Sequence, residues 1–171
     1  MKIAAINKQT QIEDSKLFGE VYLPDKWLED DVFSPFEFFL CQIDVSKFEE
    51  LPIKVGYLYF FIDAYNLTVN KMTAKVRYSK EEPDAYTDFN DGYFDDDPNE
   101  FLLTCEIEGD IGLFEGEQNS CLGEQNSHLT LLSVPTRYLP FDIQEGTLKF
   151  KIEKNKLEKL DFSACYLEFC K

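Results

Sequence analysis

Histidine is nearly missing from this chain. His128 is the only one in 171 residues, and a His-based nucleophilic triad needs a histidine oriented by a carboxylate beside the nucleophile. His128 stands next to Ser127 at the start of a strand pattern and reads as a strand-end residue. Paired cysteines are missing too. Cys41, Cys105, Cys121, Cys165 and Cys170 are odd in number and contain no CxxC pair, so neither a zinc site nor a disulfide framework follows from their spacing. Cys41, Cys165 and Cys170 fall in apolar strand patterns and read as core. Cys121 lies among acids, which disfavour a thiolate. The chain has no glycine-rich phosphate loop of either the nucleotide or the dinucleotide type. No apolar run approaches the ~20 residues of a membrane span. The start, Met1 to Ile6, is broken by Asn7, Lys8 and Gln9 short of the ~7–15 apolar residues of a secretory signal. These absences predict a cytoplasmic protein with free thiols.

Basic residues are missing from a whole third of the chain. Between Glu81 and Thr136 there is no Lys or Arg, while 15 of the 33 acidic residues lie there; the other 18 face all 17 bases. The formal net charge of −16 is therefore concentrated in the middle. Bare nucleic acid and anionic membranes are repelled by such a surface, and neither is expected as a partner. What is abundant is aromatic: 16 Phe and 9 Tyr, too many for a disordered chain. The length suits a single domain over residues 1–171.

The strongest pattern is a repeat at an offset of 90 residues. Gly56-Tyr57-Leu58-Tyr59-Phe60-Phe61-Ile62-Asp63 is matched by Gly146-Thr147-Leu148-Lys149-Phe150-Lys151-Ile152-Glu153, and further on Leu67 meets Leu157, Met72 meets Phe162 and Ala74 meets Ala164. An apolar strand precedes each copy (38–45 and 129–134), and another follows near 75–78 and 165–170. In copy two Leu148, Phe150 and Ile152 alternate with polar residues, as in a strand with one wet face. In copy one Tyr57, Tyr59 and Phe61 fill the alternate positions, so both faces should be covered. Gly56 and Gly146 are expected at turns where a positive φ is needed. Short helices are predicted at 153–160, at the matching 63–69, and at 25–31. Residues 79–99, with Pro83, Gly92, Pro98 and many Asp, read as a long acidic loop. Gly116-Glu117-Gln118-Asn119-Ser120 is echoed by Gly123-Glu124-Gln125-Asn126-Ser127, a local duplication expected in a turn. The fold class predicted is α+β: a mostly antiparallel sheet with a few short helices. It arises by internal duplication of a strand–strand–short helix–strand unit, with copy one at about 36–79, the acidic segment at about 80–127 and copy two at about 128–171.

Ser15-Lys16-Leu17-Phe18-Gly19 with Tyr22-Leu23-Pro24, then Phe39-Leu40-Cys41-Gln42-Ile43-Asp44-Val45 and Gly56 to Ile62, resemble the opening motifs of the YwqG family. Gly146 to Ile152, Leu157 and Asp161-Phe162-Ser163 are similar to its closing segment. The resemblance covers roughly 15–78 and 128–170. It implies a bacterial protein with a mixed, mostly antiparallel β fold. The family is one of unknown function, and some members lie near toxin genes of bacterial competition systems, which implies an immunity role by association. The family's glycine-tyrosine-proline motif has no match here; Cys121-Leu122-Gly123-Glu124-Gln125 stands near that place without the Tyr-Pro, so no ligand role is carried over.

Asp88-Phe89-Asn90-Asp91-Gly92 and Asp95-Asp96-Asp97 offer hard oxygen ligands. Setting Gly92 sixth in an EF-hand loop puts Thr87 first, Phe89 third and Pro98 last, which excludes that loop type. Glu106 and Glu108, expected on one face of a strand with Cys105 and Ile107, form a carboxylate pair of the glycosidase kind, although such pairs arise freely in so acidic a chain. No catalytic residue, metal or cofactor is assigned. Phe33, Phe36, Phe38, Phe39, Tyr57, Tyr59, Phe60 and Phe61 exceed the needs of one core strand pair. Trp27, Tyr86, Phe89, Tyr93 and Phe94 are expected to leave an aromatic patch beside the acids, a common interface layout. The function expected is therefore that of a non-enzymatic binding protein engaging a basic protein partner through Asp88, Asp91, Tyr93, Phe94, Asp95, Asp96 and Asp97. The alternative is a small-molecule or catalytic site in a pocket between the two repeats.

Overall fold

Alternation of side chains lays out the sheet. A computed structural model describes residues 1–63, 72–91, 94, 98–116 and 128–171. Strand β1 is Lys2–Asn7, β2 Lys16–Leu17, β3 Val21–Leu23, β4 Glu37–Asp44, β5 Tyr57–Asp63 and β6 Thr73–Ser79. Then come β7, Ala85–Thr87, β8, Phe101–Thr104, β9, Ile111–Gly116, β10, His128–Pro135, β11, Thr147–Glu153, and β12, Tyr166–Cys170. Two short helices, α1 (Asp25–Glu29) and α2 (Lys154–Leu157), fall where the sequence predicts them. Ten strands form one antiparallel sheet in the order β12-β11-β10-β9-β1-β8-β2-β4-β5-β6. It curls until its ends β6 and β12 lie near each other, with Phe162 closing the seam against Tyr78 at 5.8 Å between ring centroids. The result is a nearly closed barrel.

The interior is filled by Leu58, Phe60 and Ile62 from β5 and by Leu148, Phe150 and Ile152 from β11. Phe60 and Phe150 meet edge to face at 5.2 Å inside it. The other face of β5 bears out the expectation of a doubly covered strand: Tyr59 and Phe61 sit in a second buried cluster with Val21, Leu23 and Phe39. In β11 the corresponding face carries Thr147, Lys149 and Lys151, and Lys151 pairs with Glu168 at 2.9 Å.

β4 and β10 share one irregularity. The β4–β5 register slips between Phe39 and Cys41, and the β10–β11 register slips between Thr130 and Leu132. Each slip is a β-bulge that sends two successive side chains inward, Leu40 with Cys41 and Leu131 with Leu132. A short 3-10 turn follows each strand. Val45 N–H donates to Gly56 O at 3.0 Å in the first, and Thr136 N–H to Gly146 O at 2.9 Å in the second. Phe18, just after β2, and Phe114, in β9, both adopt left-handed φ, 59° and 46°.

The first strands cross over. β1 lies between β8 and β9, and β8 lies between β1 and β2. The link 8–15 must therefore pass β8, and the link 105–110 must pass β1. In the second crossing Gly109 runs so close to the backbone of Ile3 and Ala4 that a β-carbon there would overlap both.

Some expectations are corrected. Glu106 and Glu108 do not share a strand face, because β8 ends at Thr104, whose hydroxyl accepts the Glu106 N–H, and the chain leaves the sheet to make its crossing. The stretch 79–99 is not all loop: β7 forms inside it by pairing with β3, Tyr22 opposite Tyr86. Gly56 has the expected positive φ of 95°, but Gly146 does not; it is needed because a β-carbon would strike Cys170 O and the Phe169 ring. The helix expected at 63–69, Leu67 and most of the 116–127 echo lie outside the described residues.

Candidate functional site

A buried asparagine hydrogen-bonds the acidic segment to the barrel. The first half of β4 extends past two-residue β2, leaving backbone groups that need partners. Buried Asn90 supplies them: its Oδ1 accepts from Phe39 N–H at 3.0 Å and its Nδ2 donates to Phe39 O at 3.2 Å. Asp88 fixes Asn90 in turn by accepting its N–H at 2.8 Å. Gln42 does similar work on β4, donating to Ile12 O and Asp14 O and accepting from Tyr22 N–H.

Together these contacts hold a second layer, the β3–β7 ribbon and α1, over the outer face of β4 and β5. Val21 and Leu23 point down into the outer cluster, and Trp27 packs edge-on against Tyr59 at 5.4 Å. Phe33 and Phe89 close the cluster against Phe61, at 5.3 and 5.0 Å. Arg77 lies over the Phe33 ring at 4.4 Å and grips Glu37 with both Nη atoms, at 2.7 and 3.0 Å. The Glu37 carboxylate is almost wholly buried. Tyr59 is fully buried and, among the described residues, its hydroxyl finds no partner; burial raises its pKa, and the neighbouring Tyr57, Tyr22 and Asp44 add to the rise. Tyr57 is pushed up to about 12, first by burial and then by the Asp44 and Glu82 carboxylates.

Because Val21 and Leu23 face inward, Tyr22 faces out, and its cross-strand partner Tyr86 is 65% exposed. Asp84, Tyr86 and Asp88 are exposed, while Ala85 and Thr87 between them are half-buried. Glu20, Glu81, Glu82 and Asp91 are exposed as well. The ribbon's outer face is thus an aromatic pair flanked along the chain by the exposed Asp84 and Asp88.

The residues singled out from sequence divide. Asp88 and Asp91 are exposed beside this face. Phe94 is half-buried, packed on Phe38 and Phe141 at 5.6 and 6.4 Å, so its ring is committed to the interior. Tyr93, Asp95, Asp96 and Asp97 lie outside the described residues. Of the expected aromatic patch, Tyr86 is at the surface, whereas Trp27 and Phe89 pack into the outer cluster. Tyr22 was not foreseen; its signal is its place between inward Val21 and Leu23, at strand period.

Among the described residues no group of three or more His, Cys, Asp or Glu side chains could hold a metal ion. Burial pushes the Cys41 thiol up, and burial followed by Asp161 raises Cys165 to about 12, so neither is an activated thiolate. A groove of about 640 Å³ runs past Arg137, Glu145, Lys149 and Cys170. Its Arg137 is taken up by Asp110, which also accepts from the Tyr138 hydroxyl at 2.9 Å. No helix among the described residues is long and apolar enough to cross a membrane. Compared with known proteins, the sequence matches no family model, and no curated protein matches it.

Proposed function

We propose that this protein is a non-enzymatic, YwqG-like binding protein that engages a basic protein partner through the acidic, tyrosine-bearing outer face of the β3–β7 ribbon. The observation that carries the reading is the outward-facing Tyr22–Tyr86 pair, with Tyr86 exposed and Tyr22 half-buried, and with Glu82, Asp84, Asp88 and Asp91 exposed in a stretch that holds no base from Glu81 to Thr136. Carboxylates of one sign steer a cationic partner to the face, and burial of the tyrosines slows its departure. If the partner is a toxin with a basic active site, covering that site is the means of inhibition. The test is a pull-down from the native cell's lysate at low salt, comparing the wild type with an Asp84→Asn/Asp88→Asn/Asp91→Asn variant. A stoichiometric basic partner is expected with the wild type. It should be weakened in the variant and released by about 1 M salt, where the screening length falls to about 3 Å. Capture indifferent to both salt and neutralisation defeats the reading.

We further infer that the barrel is built from two copies of one unit. The shared bulges at Leu40 and Leu131, the matching 3-10 turns and the left-handed Phe18 and Phe114 support it. On this reading the unit is longer than the repeat seen in sequence, reaching back to β1 in the first copy and to β8 in the second, and each copy has given its first strand to the other, since β1 pairs with β9 and β8 with β2. Fragments 1–97 and 98–171 should each be unfolded alone and should assemble into a native-like barrel when mixed. Independent folding of either fragment, seen by circular dichroism and cooperative melting, refutes the exchange.

A further inference from the structure

The geometry points to the open edge of β7 as the place where the basic partner docks, as an added strand with Lys or Arg at every second residue. This rests on the acidic-face reading above and specifies its binding mode. The ribbon has two edges, and one is taken: Tyr22 on β3 donates its N–H to Gln42 Oε1 at 2.8 Å. The other edge belongs to β7, which among the described residues pairs with β3 alone. Unpaired N–H and C=O groups along a strand are a template for another chain. Residues 84–88, which follow Pro83, read Asp-Ala-Tyr-Thr-Asp and hold no Lys or Pro, so the charge along this edge is of one sign.

Their spacing selects the occupant. Asp84, Tyr86 and Asp88 alternate with Ala85 and Thr87, so acid, aromatic and acid share the outward face at period two, as their exposure shows. A strand laid beside β7 sets its own alternate side chains directly opposite these three. Cations then meet the two carboxylates, and a third lies on the Tyr86 ring. A second copy of this chain is disfavoured on the same edge: antiparallel self-pairing centred on Tyr86 sets Asp84 against Asp88, like charges directly opposed. The remaining backbone is tied down for the purpose, since Asp84 N–H donates to Leu23 O at 3.3 Å and Asp84 Oδ1 accepts from Asp25 N–H at 2.7 Å.

The probe is a fluorescently labelled peptide alternating Lys and Val, read by anisotropy against the full chain at low salt. Two further peptides carry N-methyl groups, on the lysines in one and on the valines in the other. In an edge strand only one of these sets turns its N–H groups toward β7. One methylated peptide should therefore bind like the parent, and the other on the order of tenfold more weakly. Tyr86→Ser should weaken the parent roughly two- to fivefold. Binding that neither methylated peptide weakens overturns strand addition and leaves the acidic face standing. No binding of the parent, alongside capture of the basic partner in the pull-down, overturns strand addition alone; loss of both overturns the acidic-face reading with it.

Discussion

Gly109→Ala should destabilise the protein by about 4 kcal/mol or more, the extreme of single-substitution effects. The crossing link 105–110 passes β1 with Gly109 against the backbone of Ile3 and Ala4. A flexible side chain could swing away from an added methyl, but these are backbone atoms in the middle strand of the sheet, held by β8 on one side and β9 on the other. Overpacking of this kind forces backbone shifts. For a chain of this size the loss corresponds to a fall in Tm of roughly 8–16 °C. Gly116→Ala is the control, since among the described residues a β-carbon there meets nothing within 4 Å. Denaturant unfolding of the two variants decides it: equal midpoints would mean that the link does not pass β1 so closely.

Arg77→Met should cost about 3–5 kcal/mol, because it strands the buried Glu37 carboxylate. The Glu37 side chain is 2% exposed and Arg77 17%. Arg77 also bonds Val32 O at 3.0 Å and covers the Phe33 and Phe61 rings, so it joins β6, β4 and the outer cluster in one contact set. Arg77→Lys should recover only part of the loss, since a single ammonium cannot reproduce the two-pronged grip. The double variant Glu37→Leu/Arg77→Met should be more stable than Arg77→Met alone, because no charge is then left unpaired. A double variant as unstable as the sum of the singles would show that the pair acts independently.

Local chemistry makes several elements readable from the sequence alone. The two Gly-led strands, the flanking strands and the helices near 25–31 and 153–160 rest on alternation and on polar breaks within a few residues, and they stand where predicted. Even the bulges leave a trace: Phe39-Leu40-Cys41-Gln42 and Thr130-Leu131-Leu132-Ser133 each place two inward residues side by side. β7 escaped notice because three residues in a Pro- and Asp-rich stretch have no periodicity of their own; they become a strand only through β3, far away in sequence. For the same reason Tyr86 could be named as a surface aromatic but not joined to Tyr22. Phe89 and Trp27 looked like surface anchors from their acidic neighbours, yet the outer face of β5 offered them apolar partners, and burial prevailed. The crossing of β1 and β8 is a matter of long-range register, which composition and spacing do not encode.

The place of β1 between β8 and β9 bears on how the protein is made. β1 has no sheet partner until β8 and β9 exist, about 100 residues later, so at 5–20 residues per second it leaves the ribosome roughly 5–20 s before it can pair. Meanwhile β4, β5 and β6 can already form their meander, with the place beside β2 still open. For those seconds the nascent chain carries an apolar strand, Ile3-Ala4-Ala5-Ile6, with both edges bare. Codon choice between β6 and β9, or a holding chaperone, therefore bears directly on yield, and slow translation there should increase aggregation rather than relieve it.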